Sequence, residues 1–374
     1  MKVTCVRSGL LGACKLVQGA VASRSTKPIL SNLKAIAQDD ALTLMATDLE
    51  VGIRYELRGV TVLRAGEAIL PAARLASILQ ETADGEITLD ATSEGTTIKL
   101  TGGRYELPGG DPNEFPDVPA FDAGQRYHEV TAGVLRTLIR RTEFAAEKKE
   151  STRWAVTGVL WEATDGQLRL VATDTKRLAL TSGPADIHGE APDAGGKPHS
   201  HLVPLKAVKL LSQSLSDDGE RVRVSLRPNM ALFQTERAVL HTQLVEGRFP
   251  PYRDIIPKKL AVKLTVNVHD LLGRVRQAAI MTDDESKRVD FAFEPGRAVL
   301  TARGAETGSS EVTLELPDYP GPEVKIAFDP AYLTDMLRAV EGEPTATLEM
   351  TDGTKPAVFR IGDDYTYLVM PLSG

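Results

Sequence analysis

The chain has 374 residues, 42% hydrophobic and 25% charged, a composition that fits a globular protein and excludes a disordered one. At roughly 100–200 residues per domain, that length holds two or three domains. The net charge of −7 excludes nucleic-acid binding through the average surface, since phosphate contacts need Lys and Arg, and leaves only a segregated basic face for it.

The first predicted helix covers 8–22, where Leu10, Cys14, Val17 and Val21 fall on one helical stripe. The run "LLGAC" within it looks like a lipoprotein cleavage site. Its apolar stretch is too short and Lys15 follows at once, so Cys14 is expected on the apolar side of the helix. Cys5 and Cys14 are the only cysteines, so there is no disulfide framework and a reducing, cytoplasmic compartment is expected. No stretch approaches the ~18–20 apolar residues of a membrane span. Next come "LMATDLEVGI" at 44–53, a helix at 71–80 inside "ILPAARLASILQ", and the alternating run "EITLDATSEGTTIKLTGGRYEL". The Pro-rich joint "PGGDPNEFPDVP" follows at 108–119.

The same order then recurs. A helix at 131–147 carries Leu135, Leu138 and Ile139. "LVATDTKRLAL" at 170–180 precedes "HLVPLKAVKLLSQSL", with a helix at 204–215 in which Val208 and Leu211 match Leu75 and Ile78. A β-rich run and a second joint, "FPPYRDIIP" at 249–257, close that copy. The third copy has a helix at 268–281 with Leu271, Leu272 and Val275, then "AVLTARGAETGSSEV", then "KIAFDPAYLTDMLRAV" with a helix at 330–340, and ends in "ATLEMTDGTKPAVFRIGDDYTYLVM". Proline is expected in the first turn of the second helix of each unit, where a missing N–H is harmless. The chain therefore reads as one α+β unit of helix, strands, helix and hairpins used three times, over 1–127, 128–257 and 258–374.

Thr47-Asp48 and Thr173-Asp174 are equivalent positions in this repeat, and the third copy reads Ala302-Arg303 instead. A pair dropped from one copy argues for local hydrogen bonding at a strand end rather than catalysis. Other chemistry is missing. Gly102-Gly103 and Gly109-Gly110 lack a phosphate-loop frame, and no Gly-x-Ser-x-Gly elbow appears. His199 and His201 lack carboxylate or Cys partners, and Asp283-Asp284-Glu285 lacks the spacing of a calcium loop. No catalytic residue, cofactor or metal is expected. A metal-dependent hydrolase using Asp48 and Asp174, and an acidic scaffold that never touches DNA, are the competing classes.

Charge is segregated. The six repeated helices hold Lys15, Arg74, Arg136, Arg140, Arg141, Lys206, Lys209, Arg274, Arg276 and Arg338 against Glu143, Glu147, Asp270 and Asp335. Ten bases against four acids give +6 and leave −13 for the rest of the chain. Equivalent helices pointing one way would form a positive surface inside a negative shell, which suits DNA held by its phosphates.

Over its whole length the chain resembles the bacterial DNA polymerase sliding clamps, the beta processivity subunits. The resemblance rests on "RSTKPILSNL", "ATDLE", "ATDTKRLAL", "LVEGRFPPYRDIIP" and "YLVMPL" in this order and spacing. It implies three domains of one fold per chain and a head-to-tail dimeric ring, with helices lining the hole and antiparallel sheets outside. It also implies a non-catalytic clamp that encircles duplex DNA without sequence preference and tethers polymerases, the clamp loader and repair proteins through short peptides. DNA contacts are then expected from Arg24, Arg74, Lys149, Arg153, Trp154 and Lys206. The dimer contact would bring Tyr105 and Leu107 against Ile280 and Met281. The peptide cleft would be lined by Val156, Thr173, Thr175, Arg177, Leu178, Pro250, Ile255, Thr354, Pro356, Leu368, Val369, Met370, Pro371 and Leu372. The chain departs from the family pattern at Thr175, where Gly or Ser is usual, while Lys176 after it keeps the usual His or Lys. It also departs at Asp254, often basic, at Trp154, often Tyr, and at the "PLSG" end.

Overall fold

Four antiparallel sheets and seven α-helices make up the described residues of the computed structural model, which are 1–22, 26–149, 155–164, 166–189, 200–257, 261–283 and 287–372. Arg24, Arg153, Trp154, His199, Asp284, Glu285, Ser373 and Gly374 lie outside them. None of the described helices is long and apolar enough to cross a membrane. The chain gathers into two units. One is Met1–Val134, Ala185–Lys197 and Lys206–Leu244; the other is Leu135–Pro184, Pro198–Leu205 and Val245–Gly374.

The first unit holds a five-stranded sheet in the spatial order Thr61–Arg64, Lys2–Val6, Glu86–Ala91, Gly95–Leu100, Gly103–Pro108. It also holds a nine-stranded sheet. That order is Asp186–His188, Tyr127–Thr131, Arg221–Leu226, Met230–Gln234, Ala238–Gln243, Val51–Arg58, Ala41–Thr47, Asn32–Gln38, Gly66–Pro71. The helix Arg7–Gln18 buries Leu10, Ala13, Cys14 and Val17 against Ala72–Glu81 and against strands Ala41–Thr47 and Val51–Arg58. Burial pushes the Cys14 thiol up to about 12 and the Cys5 thiol up to about 11. Strands distant in sequence fuse where Ala238–Gln243 pairs with Val51–Arg58, with His241 opposite Gly52. A Cβ at Gly52 would stand 2.8 Å from His241 Nδ1, so the close approach requires glycine. Burial lowers the His241 pKa, against the opposing pull of Asp48 and Asp117.

The second unit holds an eight-stranded sheet in the order Ser200–Pro204, Gly158–Thr164, Gln167–Thr173, Arg177–Pro184, Tyr365–Val369, Ala357–Ile361, Thr345–Met350, Val262–Asn267. Its four-stranded sheet runs Gly308–Leu316, Gly296–Gly304, Val289–Glu294, Val324–Phe328. Trp161, Phe359, Tyr365 and Tyr367 are fully buried here. Asn267 and Asp329 cap the helices Val268–Ala279 and Pro330–Ala339 by accepting from the N–H groups of Asp270 and Ala331.

Several expectations need correction. The helix expected at 131–147 spans only Ala132–Arg140. Thr142 Oγ1 turns back to donate to Leu138 O at 2.8 Å, and a 3-10 turn follows at Glu143–Ala145. The first helix ends at Gln18, so Val21 is not on it. Of the second helices of the three units, only Pro330–Ala339 has proline in its first turn. Pro71 and Pro204 are instead the last residues of their strands, paired with Asn32 and Gly158. The basic count also changes. Arg141 is 5% exposed, bonded to Glu343 at 2.5 Å and Asp364 at 3.0 Å, and contributes nothing to a surface. With their observed bounds the six long helices carry ten basic residues, now including Arg7, against Glu81, Asp270 and Asp335.

Candidate functional site

The repeated Ala-Thr-Asp builds the same turn twice. Thr47 Oγ1 donates to Val51 O at 3.0 Å and accepts from Leu49 N at 2.9 Å. Asp48 Oδ1 accepts from Glu50 N at 3.0 Å and Val51 N at 2.7 Å. In the second copy Thr173 Oγ1 donates to Arg177 O at 2.6 Å and accepts from Thr175 N at 3.0 Å. Asp174 Oδ1 accepts from Lys176 N and Arg177 N, both at 2.9 Å. Each turn forces the residue after Asp into the left-handed region, Leu49 at φ 81° and Thr175 at φ 75°. The third copy needs no such turn. Its hairpin runs on to Gly304 opposite Gly308, so Ala302-Arg303 stays in strand. The acids are therefore occupied by backbone, and the second carboxylate oxygen of each takes a cation: Lys206 for Asp48 at 2.5 Å, Arg177 for Asp174 at 2.9 Å.

In the second unit this turn stands beside the chain's last strand. Leu178 lies opposite Leu368, which lies opposite Val358, and Met370 N–H donates to Lys176 O at 2.8 Å. Beneath them Leu160, Val171, Leu178, Leu202, Tyr252, Val358 and Leu368 form one core, packed by Ala155, Phe249 and Ile256. The expected cleft residues divide accordingly. Val156, Thr173, Leu178, Leu368 and Val369 are buried; Leu178 and Leu368 belong to that core and form a floor, while Val369 lies on the other face of its strand, opposite Arg177. Ile255, 47% exposed, and Met370, 39% exposed, stand proud of it. Pro250, Pro356, Pro371 and Leu372 are half-buried, and Thr175 and Thr354 are exposed. Arg177 is placed differently. It is 8% exposed, with its guanidinium bonded to Asp174, to Asp335 at 2.7 Å and to Phe144 O at 2.7 Å, and lying over the Tyr332 ring at 4.6 Å. It holds the site together from below rather than lining it.

Beside Pro250 a cavity of about 550 Å³ opens, lined by Leu160, Glu162, Arg248, Phe249, Tyr252 and Arg253 among others. The buried Glu162 carboxylate accepts from Tyr252 OH and from Arg253 Nη2, both at 2.7 Å. Burial, and then the Glu162 bond, push the Tyr252 phenol up to about 12. The aromatic-proline run 249–252 was a sequence signal for this wall. Glu162 had none, since nothing in the run Gly158–Thr164 marks a buried carboxylate.

Three family models match in succession: the DNA polymerase III beta subunit N-terminal domain over 1–119, the central domain over 129–251 and the C-terminal domain over 253–373. The chain belongs to the DNA polymerase III beta subunit family. A beta sliding clamp of Caulobacter vibrioides is 32% identical over the whole of both chains. The solved sliding clamp of Bacillus subtilis is 25% identical at a TM-score of 0.90, covering 100% of this chain and 99% of that one. A Pseudomonas aeruginosa clamp, solved bound to griselimycin, is 26% identical at a TM-score of 0.89 over all of both chains. The chain is thus a sliding clamp of three α+β clamp domains, a non-catalytic subunit that gives a DNA polymerase processivity.

The other positions expected in a clamp are distributed as follows. In the first unit Arg74 is exposed on its helix, while Lys206 is held by Asp48. In the second unit Lys149 is exposed. Tyr105, 43% exposed, and the buried Leu107 sit on Gly103–Pro108, an edge strand of the five-stranded sheet. Ile280 is 70% exposed just past the helix Val268–Ala279, with Met281 half-buried. Sequence reasoning missed Gly308–Leu316, an edge strand of the four-stranded sheet. Thr307 Oγ1 donates to Met281 O and Ser310 Oγ to Ala278 O, which ties that edge to the same helix end.

Proposed function

We propose that two copies close head to tail into a ring around duplex DNA. The three repeated segments, 1–127, 128–257 and 258–374, would supply six like units. A head-to-tail contact must close or it would grow into filaments. The edge strand Gly103–Pro108 of one copy meets the Ile280–Met281 end and the edge Gly308–Leu316 of the other, since unpaired strand edges seek partners. The basic helices face the duplex, and Arg24, Arg74, Lys149, Arg153, Trp154 and Lys206 meet phosphates without reading bases, so the ring slides. Buried thiols and the replication role fit the cytoplasm.

The partners are short peptide segments of polymerases, the clamp loader and repair proteins, bound where the chain's last strand meets the Thr173–Arg177 turn. The observation that carries this reading is an apolar end that is not used up by folding. Met370 is 39% exposed over a buried floor, and methionine adapts to varied partners. A few buried Leu or Phe anchors would supply most of the energy. The test is deletion of residues 370–374, measured against a polymerase-tail peptide with dimerisation as control. Loss of peptide binding by an intact dimer is expected, and unchanged affinity would sink the site.

A further inference from the structure

We propose that this cleft selects peptides with acidic residues beside their apolar anchors, through a rim formed by Lys176, Lys325 and Lys355; the inference rests on the cleft reading above. Strand register brings the rim together. Arg177 and Ala357 both stand opposite Val369, so Lys176 and Pro356 flank Met370 one residue further on, with Lys355 next to Pro356. The tail then runs along a third strand, where Leu372 N–H donates to Ala327 O at 2.8 Å. Lys325 lies two residues earlier on that strand. Gly353 of the Lys355 turn approaches it so closely that a Cβ there would stand 1.9 Å from Lys325 O.

All three lysines are exposed, and none makes an ion pair within 4 Å among the described residues. Of the acids around them, only Asp352 acts on a rim lysine, Lys355, and it is held by its own turn. Asp352 Oδ1 accepts from Thr354 Oγ1 and N, both at 2.7 Å, and from Lys355 N at 3.1 Å. Those hydrogen bonds, the Thr354 hydroxyl first, hold its carboxyl below the usual range. Asp174 and Asp335 hold Arg177. An apolar centre of Met370, Pro356 and Leu372 is therefore edged by three exposed lysines, of which Lys355 is offset in part by the ionised Asp352, so the rim keeps a positive excess. Asp254, exposed beside Ile255, gives that part of the rim the opposite sign, so the acidic residues belong on the Met370 side. Rim charges of this kind set selectivity and salt dependence more than total affinity.

The experiment compares two labelled synthetic peptides with the same Leu and Phe anchors, one carrying two Glu residues beside them and the other two Gln. Fluorescence anisotropy with the full-length protein should show the Glu peptide binding about three- to tenfold tighter at low salt, with the ratio falling toward one at high salt. Lys176→Ala with Lys355→Ala should reduce the preference toward the share that Lys325 alone supplies, with a much smaller effect on the Gln peptide. Equal affinities at low salt overturn the inference while leaving the cleft standing. A preference undiminished by loss of the two lysines overturns it as well. Binding of neither peptide overturns the cleft reading, and the inference falls with it.

Discussion

Replacing Arg177 by Ala separates two roles for a residue that the family resemblance assigns to the peptide cleft. The guanidinium makes three charge-assisted hydrogen bonds, to Asp174 at 2.9 Å, Asp335 at 2.7 Å and Phe144 O at 2.7 Å. Breaking a buried ion pair from one side costs about 3–5 kcal/mol. The low end applies here. The Asp335 side chain is 40% exposed and rehydrates, whereas that of Asp174 is 11% exposed but keeps its two backbone donors. The expected loss is about 3 kcal/mol in the second unit. With a urea slope of about 2–3 kcal/mol/M, its midpoint falls by about 1 M. Trp161 is fully buried in the same sheet, and its fluorescence reports that transition. Arg177→Lys should recover only part of the loss, because an ammonium cannot reach three divergent acceptors. An Ala variant that unfolds at the parental midpoint but binds peptide poorly would refute the structural role and return Arg177 to the cleft.

Thr175→Gly should raise the same midpoint by about 1 kcal/mol of stability, since a β-branched residue at positive φ is strained; a fall would show that the strain is absent. Ile280→Ala with Met281→Ala should shift the dimer toward monomer in sedimentation, and an unchanged dimer would remove this helix end from the interface. Arg74→Ala and Lys149→Ala should each lower the salt slope of DNA binding by about one, and an unaltered slope would exclude them as phosphate contacts.

Much of the fold was legible because the repeat writes the same periodicities three times. Leu10, Cys14 and Val17, or Leu271, Leu272 and Val275, mark a buried helix face by spacing alone, and all are buried. The Thr-Asp turns were legible too, because their bonds reach only two to four residues along the chain. What sequence could not give was decided by pairing between distant strands. Spacing cannot say that Ala238–Gln243 will join Val51–Arg58, or that Tyr365–Val369 will join Arg177–Pro184, yet those seams fuse the sheets and set the cleft floor. Charge shows the same divide. The sequence counts Arg141 and Arg177 as cations, but only the folded chain brings Glu343, Asp364 and Asp335 within about 3 Å of them, which turns expected surface or site charges into internal ties. Local bonding follows from neighbours in the chain. Which charges remain free to meet a partner depends on neighbours that only tertiary structure supplies.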